Sequence, residues 1–268
     1  MRQWAPMEVI ILPDPPQAAR LAARIIEKEL RAKPALVLGL ATGRTMERVY
    51  ACLAALHREQ GLDFSRCATF NLDEYIGIPA EHPASYRSYM DRHLFRQVNL
   101  AAASTHLPDG MAPDLGAESR RYEAMIQEAG GIDLQLLGLG SDGHIGFNEP
   151  LSALLSRTRE KALTPATRQQ NAPMFGGDPA RVPARAITMG VGTILDSRRC
   201  LLLATGAEKA AILAKAVEGP ITAMVTASAL QLHPKCQVVV DEAAAAGLQG
   251  IDYYRWIFNN EPEWADFR

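Results

Sequence analysis

Apolar residues recur along this chain in two alternating periods. A continuous run, EVIIL (8–12), precedes a stretch, 17–31, in which Leu21, Ala22, Ile25, Ile26 and Leu30 share one helical face. The alternation continues through ALVLGL (35–40) and a helical 46–58, then ATFNL (68–72) and a helix near 84–97. A helix over 115–129, DLQLLGL (133–139), AITMG (186–190), CLLLA (200–204), a helix over 207–218 and CQVVV (236–240) extend it. Short apolar runs without polar alternation belong to strands buried on both faces, and strands interleaved with helices imply crossover connections. The pattern predicts an α/β fold: a largely parallel sheet covered by helices on both faces, in one domain over 1–268. Only 150–185, which contains TPATRQQNAPMFGGDPARVP, loses its period. Such a segment is a lid or binding loop, or else a surface insertion.

Composition narrows the partner. With 48% hydrophobic residues in 268, the chain can bury a sizeable core. Lys and Arg number 28 against 30 Asp and Glu, so the charge balance favours neither a nucleic acid nor a membrane surface. A small molecule is the expected partner. Cys52, Cys67, Cys200 and Cys236 lie far apart, and no secretory signal or run of about 18 apolar residues occurs. These features predict a soluble cytoplasmic protein with free thiols.

The polar residues carry the functional signal. Ligands of open parallel sheets bind outside the carboxyl ends of strands. Four predicted strands end in reactive or anion-binding chemistry: ATGRT after 35–40, DEY after 68–72, GSDGH after 133–139 and TGAEK after 200–204. Thr42, Gly43 and Thr45 lead into a helix, where free N–H groups and the helix dipole cradle an anion; Arg44 adds a cation. The other reading is a glycine turn with a threonine cap. Asp73 and Glu74 follow a strand, well sited to move a proton from a C–H acid next to a carbonyl or iminium, or else to cap a helix. Their alternating directions allow only one of them to enter the site.

LLGLGSDGHIGFNEP (136–150) fits G-x-G-x-x-G but not a dinucleotide loop. No helix opens after its glycines, Pro150 disfavours helical geometry at Glu149, and no acidic strand end follows about 20 residues on. The glycines instead let backbone approach a small ligand. Asp142, His144 and Glu149 form an acid–His–acid group in which a carboxylate orients the imidazole while the other ring nitrogen shuttles protons. Metal binding is the rival reading, although no further His or Cys stands at ligand spacing nearby.

LGLATGRT, FNLDEYIGIPAEHPASY, GLGSDGHIGFNEP, SRTREKALT, VGTILD and LQLHPK together resemble the glucosamine-6-phosphate deaminase/isomerase family over nearly the whole chain. The resemblance implies a modified Rossmann-like fold. It further implies conversion of a 2-amino-2-deoxyhexose 6-phosphate to the ketose phosphate plus ammonia, without metal or redox cofactor. It makes Asp73 the base that takes the C2 proton and returns one at C1, and His144 the ring-opening group at O5, with Asp142 and Glu149 setting its charge and orientation. Thr42, Gly43 and Thr45 match the phosphate turn, and Lys209 a lysine reaching the same phosphate. A homo-oligomer, a hexamer for this length, is the family's expectation, with a monomer known among shorter members.

The chain departs from the family pattern at its anion site. Pro173 stands where an arginine of the phosphate site is usual, Arg44 where Gly or Ser is usual, and Met46 replaces a proline. The same deamination of a 6-sulfonated amino sugar, 6-deoxy-6-sulfoglucosamine, is therefore the alternative. Ser152, Arg159 and Lys161 match the activator site of the longer allosteric members. Residues 1–6 and Arg255, where tyrosine is usual, depart from it, so the resemblance leaves activation open. Two other classes are weighed. A sugar-phosphate-sensing regulator would need a DNA-reading element ahead of residue 8, and a lactonase-type hydrolase would not need FNLDEY together with GHIGFNEP.

Overall fold

A computed structural model describes residues 7–268; residues 1–6, the extension noted above, lie outside the described part. Ten strands follow in chain order: β1 (Glu8–Leu12), β2 (Val37–Leu40), β3 (Ala68–Asn71), β4 (Asp73–Tyr75), β5 (Thr105–His106), β6 (Leu134–Gly138), β7 (Arg159–Ala162), β8 (Arg185–Thr188), β9 (Cys200–Ala204) and β10 (Cys236–Asp241). The helices are α1 (Pro15–Ala32), α2 (Arg44–Gln60), α3 (Tyr86–Met90), α4 (Leu115–Glu128), α5 (Pro165–Asn171), α6 (Val191–Leu195), α7 (Ala210–Val217), α8 (Glu242–Ala245) and α9 (Ile251–Asn260). Seven strands pair in parallel in the order β1-β10-β9-β6-β2-β3-β5, flanked by helices. Leu38, Leu134, Leu136 and Leu137 of its central strands are fully buried, which is why these runs lack polar alternation. Among the described residues no helix is long and apolar enough to cross a membrane.

A second sheet departs from the expected pattern. β4, β8 and β7 form a three-stranded antiparallel sheet in which Asp73 faces Thr188 and Glu74 faces Ile187. The AITMG run thus leaves the parallel sheet, and DEY, read as a turn after a strand, is itself a strand. An apolar run signals burial but does not name its partner strand. The aperiodic 150–185 segment contributes β7 and α5. The helix expected near 84–97 is one short α-helical stretch, Tyr86–Met90, wound into a π-helical turn over Asp91–Phe95.

Candidate active site

β2 and β6 lie side by side, yet from β2 the chain steps outward to β3 and from β6 it proceeds to β9 on the opposite side. Connections that part this way open a crevice at the strands' carboxyl ends, the common ligand position in such sheets. The loop after β2 and the loop after β6 both lie there.

At the first loop α2 begins at Arg44, earlier than the apolar period indicated. Its cap is Gly43, held at φ +117 and ψ 161, a conformation open to glycine, and no side chain caps the helix. The threonine-cap reading is thus not realised, and the first-turn N–H groups keep no side-chain acceptor. Tyr89 supports the turn by donating its hydroxyl to the Gly43 carbonyl at 2.8 Å, and Tyr50 donates to the Ala41 carbonyl. Lys209 ends a single turn, Ala207–Lys209, that follows β9. Burial lowers its pKa, Glu208 and Asp142 oppose this, and Arg44 adds to it, so the four charges share one neighbourhood. Neither Arg44 nor Lys209 joins an ion pair among the described residues. Pro173 is exposed in a single turn, Ala172–Phe175, and nearby Arg168 is engaged with the Val182 and Ala180 carbonyls at 3.2 Å each.

Asp73 and Glu74 diverge as strand alternation requires. The Asp73 carboxylate faces the loop after β6: a Cβ built on Gly146 would lie 3.4 Å from its Oδ2. Burial, and then the charge of Glu74, push its pKa from 3.8 up to about 8, against a hydrogen bond from the Phe147 N–H. Glu74 turns the other way and accepts the Tyr86 and Arg87 N–H groups at 2.9 Å each. Of the two, Asp73 alone faces the loop after β6.

His144 is 7% exposed, and its Nδ1 lies 2.6 Å from Asp142 Oδ1. With Asp142 ionised, Nδ1 carries the proton and donates it, which leaves Nε2 as the free acceptor. Burial raises the Asp142 pKa, but the hydrogen bond and charge of His144 outweigh it, and the net shift is downward. A Cβ at Gly140 would sit 2.5 Å from the imidazole ring, so this glycine makes room for the histidine and not, as the sequence suggested, for a ligand. Glu149 is buried and accepts the Thr164 N–H at 3.0 Å and its hydroxyl at 3.3 Å. One ligating atom from each of Asp142, His144 and Glu149 lies within 4.8 Å of the others, a set that could also hold a metal ion. The 2.6 Å contact is hydrogen-bond length, and Thr164 supplies the donors that a cation would otherwise replace.

Several neighbours escaped the sequence reading. Tyr86 donates its hydroxyl to that of Tyr75 at 3.3 Å and feels the charge of Asp73, which places it beside the carboxylate. Thr188 accepts the Phe147 N–H at 3.1 Å, and Asn148 donates to the Ile145 and Met189 carbonyls at 2.8 Å each. YRSYM, with aromatic residues three apart beside an acidic strand, is the signal that could have found Tyr86 and Tyr89. Of the activator-site matches, Ser152 is buried, half-buried Arg159 donates to Asn148 Oδ1 at 2.7 Å, and Lys161 is half-buried on β7.

A parallel sheet with a glycine-capped helix start, a buried carboxylate and an acid–His–acid group at its carboxyl edge defines an α/β enzyme class equipped for acid–base chemistry. Residues 16–239 match the family glucosamine-6-phosphate isomerases/6-phosphogluconolactonase, and the chain belongs to it. Similar proteins include a glucosamine-6-phosphate deaminase of Arthrobacter sp. (strain FB24), 51% identical over 96% of this chain and 99% of that protein. Another, from Hahella chejuensis (strain KCTC 2396), is 53% identical over 94% and 95%. Among solved structures, a monomeric glucosamine-6-phosphate deaminase superposes with a TM-score of 0.88 at 42% identity, covering 90% of this chain and 100% of that one.

Proposed function

We propose that the chain converts glucosamine 6-phosphate and water to fructose 6-phosphate and ammonia. The observation that carries this reading is the buried Asp73 carboxyl, with a pKa pushed to about 8, facing the loop that holds His144. A base this strong is matched to a weakly acidic C–H in a way an exposed carboxylate is not. His144, its Nδ1 tied to Asp142, handles the O5 proton through Nε2 and opens the pyranose ring, while Glu149 fixes the far side of the group. Asp73 then takes the C2 proton and returns one at C1. The double bond moves to C2–N, and water displaces ammonia there.

Thr42, Gly43, Arg44 and Thr45 at the helix start, with Lys209, hold the C6 anion. Two cations that join no ion pair among the described residues favour a charged group over a hydroxyl. Phosphate is the anion assigned, in keeping with the names of relatives at about half identity.

The 268 residues act as one domain in this reading, with the 150–185 segment as a lid. Thr164 and Gln170 of that segment contact Glu149 and the Ser141 N–H, which supports the role. Its compartment is the cytoplasm, in keeping with four free thiols. The assembly is a homo-oligomer in this reading: Leu151, Leu155 and Met224 are 74%, 85% and 53% exposed, apolar side chains that a second copy would cover. Light scattering that finds only monomer refutes this last point. The activity is tested by following ammonia from glucosamine 6-phosphate beside acid release from 6-phosphogluconolactone. Ammonia without lactone hydrolysis is expected, and the reverse overturns the reading.

A further inference from the structure

Glu74 has no role in the chemistry above, yet its surroundings are unusual. It is 4% exposed, and no guanidinium or ammonium neutralises it among the described residues. Its carboxylate is held by backbone alone: Oε1 accepts the N–H groups of Tyr75 at 2.8 Å and Tyr86 at 2.9 Å, and Oε2 accepts that of Arg87 at 2.9 Å. Arg87 turns its own guanidinium elsewhere, to Asp91 at 3.2 Å and to Thr105 Oγ1 at 3.0 Å. On the partner strand the residue opposite is Ile187, which is apolar and buried.

Burial raises the pKa of Glu74, and three directed N–H groups oppose it by favouring the ionised carboxylate. The ionisable groups near this charge are Asp73 and Tyr75, its neighbours on the strand, both of which feel it, and Tyr86 and Arg87 of α3, which meet it through their backbone N–H groups. Tyr75 and Tyr86 share a hydroxyl contact of 3.3 Å and are neutral near pH 7 because burial raises both. Asp73 is therefore the group on which the charge of Glu74 acts within the useful pH range.

We propose that Glu74 is a positioning residue for the reaction: as a buried anion without a counter-cation it acts on the neighbouring Asp73 through its charge, and it ties the helix bearing Tyr86 to the strand bearing the base. This rests on the reading of Asp73 as the base. Removing the negative charge makes Asp73 easier to ionise. A neutral residue at 74 therefore weakens the base and moves its titration to lower pH. The two-part role also explains the choice of residue type. An apolar side chain would leave three buried N–H groups unpaired, and a lysine or arginine would lower the proton affinity of Asp73 instead of raising it.

The test is a carboxyl carbon-13 NMR titration of aspartate-labelled enzyme, in which the Asp73 resonance is identified by its loss in Asp73→Asn. In Glu74→Gln its midpoint should fall by about one pH unit or more, and the acidic limb of kcat/KM should move with it. Glu74→Asp, which keeps the charge, should hold the midpoint near the wild-type value while lowering kcat through looser packing. An unchanged Asp73 midpoint in a folded Glu74→Gln protein overturns the proposal. Should that variant not fold, glutamate-labelled wild type decides: Glu74 must be ionised at pH 7 and show a second chemical-shift step at the Asp73 midpoint, and a protonated Glu74 overturns the proposal. Failure of the parent reading looks different, since Asp73→Asn would then keep releasing ammonia whatever Glu74 does.

Discussion

Replacing Asp73 by asparagine should remove activity and add stability, and the second effect is the more searching. The Asp73 pKa is about 8 in the folded protein against an ordinary 3.8. A carboxyl whose folded pKa is raised holds its proton more tightly in the native state than in the unfolded chain. Native stability therefore falls as pH climbs from about 4 towards 8 and stays low above that. At about 1.36 kcal/mol per unit, the full shift corresponds to a loss on the order of 5 kcal/mol. Asparagine mimics the protonated acid in shape and cannot ionise. The stability gap between Asp73→Asn and wild type should be near zero at pH 4, widen with pH, and level off above pH 8. Urea unfolding of both proteins at pH 5, 7 and 9 measures it, because titrating groups not coupled to Asp73 cancel in the difference. A gap of equal size at pH 5 and pH 9 would refute the claim that Asp73 is buried at the expense of its charge. Ammonia release by the variant should meanwhile fall by about 10²–10⁴-fold.

Three further outcomes follow from the site. His144→Gln should lower kcat on the cyclic substrate about 100-fold yet leave binding of open-chain 2-amino-2-deoxyglucitol 6-phosphate intact, and equal losses in both measurements would contradict a ring-opening role. Arg44→Gly should raise KM for glucosamine 6-phosphate by about tenfold, equivalent to one charge-assisted contact. Running 6-deoxy-6-sulfoglucosamine and glucosamine alongside reports how the site reads its anion, and selectivity unchanged by the substitution would remove Arg44 from it. Exhaustive dialysis against EDTA should leave turnover unchanged, whereas a loss restored by zinc would make Asp142, His144 and Glu149 a metal site.

What the chain discloses in its sequence depends on how local each determinant is. CLLLA and the strand Cys200–Ala204 coincide because a strand buried on both faces is written as an uninterrupted apolar run. The start of α2 was misplaced by two residues because its cap is a glycine whose information is a backbone angle and not a side-chain acceptor. β4 was invisible as a strand: three residues, two of them acidic, carry no apolar period, and their burial depends on β8, more than a hundred residues onward. The divergence of Asp73 and Glu74 was legible from strand alternation alone. The employment of Glu74 was not, because two of its three N–H partners lie 12 and 13 positions later, beyond any local spacing rule. The contact between Asp142 and His144 was readable because it spans only two residues, while that of Glu149 with Thr164 required the aperiodic segment to fold back.

Proton NMR of glucosamine 6-phosphate turning over in deuterated water tests the central claim most directly. The reading of Asp73 as a base shared between C2 and C1 predicts ammonia and fructose 6-phosphate formed together, with solvent deuterium appearing at C1 of the product, and no exchange at either carbon with Asp73→Asn. Ammonia formed without ketose phosphate, or C1 deuteration that persists in Asp73→Asn, would contradict it.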